Sequence, residues 1–356
     1  MAVSTAKPFS QKNIALILLV VTLLLPLSDY VLPAELQFAE LMRPIFIFAI
    51  LGLGLNVMTG LTGMLNLGIA AFMAIGAYTY AIFTCDIYPF QVGFWCAILL
   101  ASATAAVIGT LLGIPTTRLR GDYLAIVTLG FGEIVQDTLR NLESITKGTQ
   151  GINPLPGPTL FGFVFNQDSY LPWYYLLLSI LFLVVALNHN LIHARTGRAW
   201  RAVREDELAA RCMGISSGHA RLLAFAFGSG LAGLAGGLWA GFLGSSGEPG
   251  NYDFQISIIT LCLLIVGGMG NILGVLVGAL IMIGFNSIIL VKLTQFMNSA
   301  GLVSTTNVFT QPNNWKYMVF GMALILMMRY RPQGVCPERV AEKIRPTNLS
   351  EEVKSS

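Results

Sequence analysis

The side chains with the most chemistry to offer stand together between Asn188 and Leu222. Arg195, Arg198, Arg201, Arg204, Arg211 and Arg221 are interrupted by Glu205-Asp206-Glu207, which lead into Leu208-Ala209-Ala210-Arg211-Cys212-Met213-Gly214. Guanidinium groups and carboxylates mixed in this way suit electrostatic docking better than bond making. Arg198 to Gly214 holds good helix formers and no proline. Gly214 is placed as a helix stop, and Ser216 or Ser217 can cap the next apolar run. Trp200, Val203, Leu208 and Cys212 do not form one clean apolar stripe. A surface helix lying on its own protein needs such a stripe, whereas a short helix inserting into another protein does not. Docking of a soluble partner and a plain solvated loop are both open on these residues alone.

Elsewhere the chemistry is sparse. Asn56, Asn66, Thr128, Glu133, Gln136 and Asn286 are polar residues inside otherwise apolar runs. Glu133 is the sharpest of them, because a carboxylate at the centre of a bilayer costs about 2.5–3.5 kcal/mol on insertion scales. It needs a partner, a proton or a wet cavity, so it either lines a substrate route or locks two helices. Asn56 and Asn66 flank the turn Gly60-Leu61-Thr62-Gly63. They can cap broken helices and coordinate a polar substrate, or serve as hydrogen-bonding glue between helices. The zincin motif HExxH and the phosphate loop GxxxxGK[ST] are missing from the chain. It therefore cannot split ATP through that loop, and no catalytic residue or cofactor is expected. His189 and His193 are four apart and can share a helix face. No cysteine or carboxylate cluster completes a metal site beside them, and Cys85, Cys96, Cys212, Cys262 and Cys336 are scattered as small hydrophobes.

The elements that must position these residues are membrane helices. The chain of 356 residues is 55% hydrophobic and 11% charged, with a mean hydropathy of +0.70, against a usual charged content of about 25% for soluble domains. The formal charge of +3 is too small to argue for nucleic acid. A span needs about 20 apolar residues, and ten candidate runs satisfy this: 14–32, 44–60, 63–84, 92–114, 122–140, 171–188, 220–243, 254–269, 271–291 and 315–329. The first run follows Lys7 and Lys12. It is longer than the apolar part of a usual signal peptide, and it reads as a retained span. Gly267-Gly268-Met269-Gly270-Asn271 reads as a break within 254–291, and the stretch 36–84 leaves room for a re-entrant piece at Gly60–Gly63.

Of the 21 lysines and arginines, this topology sends Arg43, Arg140, Lys147, Lys292 and Lys316 to the outside and the rest to the cytoplasm. That bias fits an even number of spans with both termini cytoplasmic. The expected fold is an all-α polytopic membrane protein with about ten transmembrane helices. A tail at 1–13 precedes a transmembrane domain at 14–330, whose cytoplasmic loop is 189–220; a second tail is 331–356. The outside loop at about 140–170, with Asn153-Pro154-Leu155-Pro156-Gly157-Pro158, is too rich in proline and glycine for a long helix. Gly233-x-x-Gly236 and Gly274-x-x-x-Gly278 allow close helix packing. Gly63-Met64-Leu65-Asn66-Leu67-Gly68 and Gly268-Met269-Gly270-Asn271-Ile272-Leu273-Gly274 echo one another faintly, as halves of a duplicated unit do.

Four stretches carry a family resemblance. Leu208 to Gly214 resembles the EAAxxxG signature of ABC-importer permeases, with Leu208 in the place of the glutamate. Gly197-Arg198-Ala199-Trp200-Arg201-Ala202-Val203-Arg204-Glu205-Asp206, the run from Leu119 to Ile134, and Val266-Gly267-Gly268-Met269-Gly270 are longer and more specific. Together, over roughly residues 40 to 330, they resemble the branched-chain amino-acid ABC permeases of the LivM type. The resemblance implies a multi-pass subunit of a bacterial inner membrane that performs no chemistry on its cargo. Its implied partners are a second homologous permease, two ATP-binding subunits, a periplasmic amino-acid-binding protein and membrane lipid. It also implies an ATPase-coupling role for Arg201, Arg204, Glu205, Asp206, Glu207, Ala209, Ala210 and Gly214; Asn56, Asn66 and Glu133, as polar residues inside apolar runs, are the candidates for the translocation path. Related members carry urea or short amides, and a self-sufficient proton-coupled carrier using Glu133 is the rival from another class.

Overall fold

The structure, a computed structural model, describes residues 38–89, 91–117, 121–160, 163–165, 170–299 and 315–331, with Thr22, Leu25, Pro26, Leu119 and 333–336. The expected span at 14–32 lies outside the described residues apart from three positions, as do the tail at 1–13 and nearly all of the tail at 331–356. Thirteen α-helices occur among the described residues: α1 Phe38–Leu55, α2 Ile69–Thr84, α3 Phe94–Thr116, α4 Asp122–Asn141, α5 Glu143–Thr146, α6 Tyr170–His193, α7 Arg195–Glu205, α8 Glu207–Cys212, α9 Ser217–Leu243, α10 Phe254–Gly267, α11 Ile272–Gly284, α12 Leu290–Ser299 and α13 Lys316–Tyr330. A hairpin of two-residue strands, Thr159–Leu160 with Phe163–Val164, is the extended structure among those residues. Helix dominates because a chain in lipid must satisfy its own backbone groups.

Six helical segments are long and apolar enough to cross a membrane: Glu40–Leu61, Phe94–Thr116, Leu171–His193, Ser217–Leu243, Pro249–Gly267 and Ile272–Gln295. Apolar α2 and α13 are shorter. The expected run at 122–140 does form a helix, α4, but Asp122, Glu133, Asp137 and Arg140 make it amphipathic, with only Leu124, Ala125 and Thr128 buried. The architecture is thus an all-α polytopic bundle with six clear spans among the described residues.

Helix α9 stands at the centre and packs on α1, α2 and α3. Its glycines make this possible. A Cβ on Gly236 would strike the Met73 carbonyl oxygen and one on Gly76 would strike Gly233, so α2 and α9 touch backbone to backbone. The same closeness joins α10 to α11 through Gly267 and Gly274. In lipid such van der Waals contact, rather than apolar burial, holds helices together.

Hydrogen bonds between the loops sort them into two ends. At one end lie the turn at 56–64, Thr117 just past α3, helices α7 and α8, the 267–271 break and residues 333–336. At the other, the 141–165 loop is pinned to the 244–253 loop: Leu155 N donates to Gly244 O at 2.9 Å and Ile152 N to Ser246 Oγ at 2.8 Å. The proline-rich loop is therefore ordered by its neighbours, with α5 and a short 3₁₀ turn, Gly148–Gln150, as its regular structure before the hairpin.

Candidate functional site

The basic loop folds as two short helices, where its sequence suggested one. α7 ends at Glu205 because Asp206 turns its side chain back on the chain: Oδ1 accepts from Leu208 N at 2.8 Å and Ala209 N at 3.0 Å, capping α8. A short acidic side chain competes with the helical backbone for such donors. The expected stop at Gly214 is present, with φ at +83°. Ser216 occupies the position before α9, yet its hydroxyl bonds His219 Nδ1 at 2.8 Å rather than a backbone amide.

Contrary to the sequence pattern, α7 lies on its own protein. Gly197, Trp200 and Val203 are buried, and Trp200 Nε1 donates to Ala220 O at 2.7 Å, fastening α7 to the start of α9. The misleading positions are Leu208 and Cys212, which belong to α8 and face outward. α8 is itself anchored by charge. Glu207 takes Arg211 at 2.5 Å and Arg221 at 2.9 Å, and Arg221 also reaches Thr117 O at 3.1 Å. Glu207 and Arg221 are both mostly buried, so removing Glu207 leaves Arg221 without its carboxylate, whereas removing Arg221 leaves Glu207 paired with Arg211.

The outward-facing surface of this loop is apolar at its most exposed points. Leu208 is 73% exposed and Met213 82% exposed, on the loop beyond the spans. Glu205, Asp206, Glu207, Leu208 and Arg211 surround an open concavity of about 410 Å³. Of the residues singled out from the sequence, Arg204, Glu205, Asp206, Ala209 and Gly214 are exposed and Ala210 is buried. Arg201 Nη2 donates to Ile192 O at 2.9 Å, and Arg204 Nη1 to Gly60 O. Leu208 and Met213 were not among the expected site residues. The one hint was Leu208 standing where the signature has a glutamate.

Asn56, Gly60 and Asn66 lie at an interruption in the bundle. α1 passes into a π-helical turn, Asn56–Leu61, and residues 62–68 are non-helical before α2 begins. This backbone is satisfied from several elements, as burial demands. Met64 N donates to Met58 O at 3.1 Å, Leu67 N to Thr128 Oγ1 of α4 at 3.0 Å, and Ala70 N to Ser257 Oγ of α10 at 3.2 Å. Asn66 is fully buried; its Oδ1 accepts from Gly68 N at 2.8 Å and its Nδ2 faces Met58 Sδ. Asn56 is also buried, and its Oδ1 accepts from Gly270 N at 2.8 Å, so this interruption touches the one at 267–271. There Asn271 Oδ1 accepts from Leu273 N at 3.1 Å, the same two-residue step that Asn66 makes to Gly68. Asn271 makes this bond as the cap of α11, whereas Asn66 lies two residues before Gly68, the cap position of α2, which has no side-chain cap.

Glu133 is exposed on α4. With Gln136 it borders a narrow crevice, about 10 Å³, whose other walls include Leu67, Leu129, Asp253 and Ser257. Exposed Tyr123, Ile126 and Ile134 share α4 with it. A helix of this mixed character is poorly suited to lipid on its open side. His189 and His193 stack at 4.4 Å between ring centroids, with His193 Nδ1 bonded to its partner's carbonyl at 2.7 Å.

An all-helical polytopic bundle, crossed by two touching interruptions and carrying a folded basic loop at one end, defines a membrane protein of transporter type. A family model described as branched-chain amino acid transport system, permease component, matches residues 37–328, and the chain belongs to that family. Over 312 residues it is 38% identical to the high-affinity branched-chain amino acid transport system permease protein LivM of Escherichia coli K12, covering 82% of this chain and 68% of that one. A probable LivM of Methanocaldococcus jannaschii is 27% identical over 243 residues, 68% of each chain. The permease protein LivH of Escherichia coli K12 is 24% identical over 316 residues, 83% of this chain and 93% of that one. No solved structure matches the chain. Its family role is that of a transport permease component and not of an enzyme.

Proposed function

We propose that this chain is the permease subunit of an ABC importer that moves leucine, isoleucine, valine or related amino acids across a bacterial inner membrane. It works beside a second homologous permease, two ATP-binding subunits and a periplasmic binding protein. Both termini lie in the cytoplasm and about ten helices cross the bilayer, with the basic loop on the cytoplasmic side under the positive-inside bias. That both LivM and LivH proteins resemble the chain supports a pairing of two related permeases.

One observation carries the docking role. Leu208 and Met213 expose large apolar side chains on α8 and just after it, outside the spans among the described residues, on a loop that ion pairs fasten to α9. Apolar anchors ringed by charge are how a protein seats a short helix in a partner's groove. The occupant is an ATP-binding subunit, because this chain has no phosphate loop of its own. ATP-driven closure of the two ATPases then pushes α7 and α8 together. Met213→Glu puts a charge at the most exposed anchor. It is expected to leave the chain in the membrane while the ATP-binding subunits no longer co-purify with it. Undiminished co-purification and leucine uptake in that variant would overturn the docking role.

A further inference from the structure

The family resemblance gives Arg204 an ATPase-facing role; the residue is exposed, but its guanidinium reaches back to its own protein. Its Nη1 donates to the carbonyl of Gly60, and its aliphatic stem lies against Gly63, where a Cβ would meet Arg204 Cγ at 3.4 Å. Gly60 stands in the π-helical turn that ends the first long span among the described residues. A Cβ there would run into Asn56 Oδ1 and, at 2.7 Å, into Gly270 N, so Gly60, Asn56 and Gly270 are in mutual contact. Asn56 Oδ1 holds Gly270 N at 2.8 Å, while its Nδ2 is buried with no hydrogen-bond partner among the described residues. The 267–271 break is in turn held from its other side: Val335 N donates to Val266 O and Cys336 N to Gly267 O, each at 2.9 Å, and Asn271 Nδ2 donates to Cys336 O at 3.2 Å.

A chain of two hydrogen bonds therefore runs from α7 to both interrupted helices, Arg204 to Gly60 and Asn56 to Gly270. Interrupted helices are where a bundle bends, because backbone there is not locked into one ladder. A rigid arginine fork on a carbonyl is a charge-assisted bond, stronger than a neutral one. The unpartnered Asn56 Nδ2 leaves a donor free to take a new acceptor when the interruptions shift, which a fully satisfied amide would resist. We propose that Arg204 and Asn56 are positioning residues that transmit loop displacement to the paired interruptions at 56–68 and 267–271, and that Arg204 does not contact the ATPase. This rests on the reading of α7 and α8 as the ATPase-docked loop.

The test uses the complete complex, chain with partner permease and ATP-binding subunits, in proteoliposomes with binding protein, leucine and ATP. For Arg204→Ala the ATP-binding subunits are expected to co-purify as before; leucine uptake is expected to fall about tenfold while ATP hydrolysis changes less than about twofold, the scale of one charge-assisted hydrogen bond. Arg204→Lys keeps a donor for the single carbonyl and is expected to recover much of the uptake. Asn56→Asp, which keeps the acceptor for Gly270 N and loses the free donor, is expected to uncouple in the same direction. Should Arg204→Ala fail to accumulate, Arg204→Gln replaces it in the same comparison.

Loss of the ATP-binding subunits from the arginine variant would overturn the proposal, since Arg204 would then be a docking contact. Equal loss of uptake and hydrolysis, or no change in either, would overturn it as well. The docking reading fails separately, through Met213→Glu. If that variant keeps its ATPases while Arg204→Ala uncouples, the link stands and the ATPase seats on another part of α7 and α8 than Met213.

Discussion

Asp206 and Glu207 are neighbours with different tasks. Asp206 stops one helix and starts the next through its two amide acceptances, and Glu207 ties that second helix to Arg211 and Arg221. Asp206→Ala removes the cap and is expected to weaken α8 by about 0.5–2 kcal/mol. Amide hydrogen exchange at 208–212 should speed up accordingly, and Asp206→Asn, which keeps an acceptor, should stay near the parent rate. Unchanged exchange in the alanine variant would mean that Glu207 alone holds the helix. Glu133 faces outward on α4 rather than being locked between helices. A permease driven by separate ATPases does not need its proton, so Glu133→Gln is expected to keep ATP-dependent, pH-independent leucine uptake. Uptake that became pH-dependent, or vanished, would argue for a charged role in the path. The joint exposure of Leu208 and Met213 and the reach of Arg204 to Gly60 were not legible in the sequence, because they depend on where α8 and α7 lie in three dimensions.

Among the elements, the glycine-lined contact of α9 with α2 is the tightest joint. Gly236→Val places side-chain atoms against the Met73 carbonyl and Ala77 N, backbone that cannot step aside. Overpacking of this kind costs about 1–3 kcal/mol or more, and a fall in the melting temperature of the purified protein should report it. Gly218→Ala is the control, since no described residue lies within 4 Å of a Cβ there; its melting temperature should be unchanged or higher. The break at 267–271 was readable because three glycines and an asparagine cannot continue a helix cheaply, and Asn271 does cap α11. The split at Asp206 was not, because the surrounding residues are good helix formers and only a specific side-chain hydrogen bond divides them. The turn at 60–63 showed as a glycine cluster, but the non-helical Leu67 after it and the first turn of α2 are held by Thr128 and Ser257, far away in sequence. The amphipathic character of α4 was visible in its charges. Its open face was not, since burial depends on neighbours that periodicity does not name.

For the whole molecule, orientation and assembly decide what the loop means. Cys212 is exposed on the loop, and a membrane-impermeant maleimide should label it in inside-out vesicles and not in intact cells, with Cys96→Ser removing the other exposed thiol. Labelling from the outside would reverse the topology and remove the loop from any ATPase. The measurement that bears most directly on ATP-driven import is leucine uptake into proteoliposomes, comparing the chain with its partner permease alone against the complex that also contains both ATP-binding subunits, binding protein and ATP. Uptake only in the ATP-fed complex, indifferent to an imposed proton gradient, is the predicted result. Leucine uptake by the permeases alone, driven by that gradient and abolished in Glu133→Gln, would contradict it.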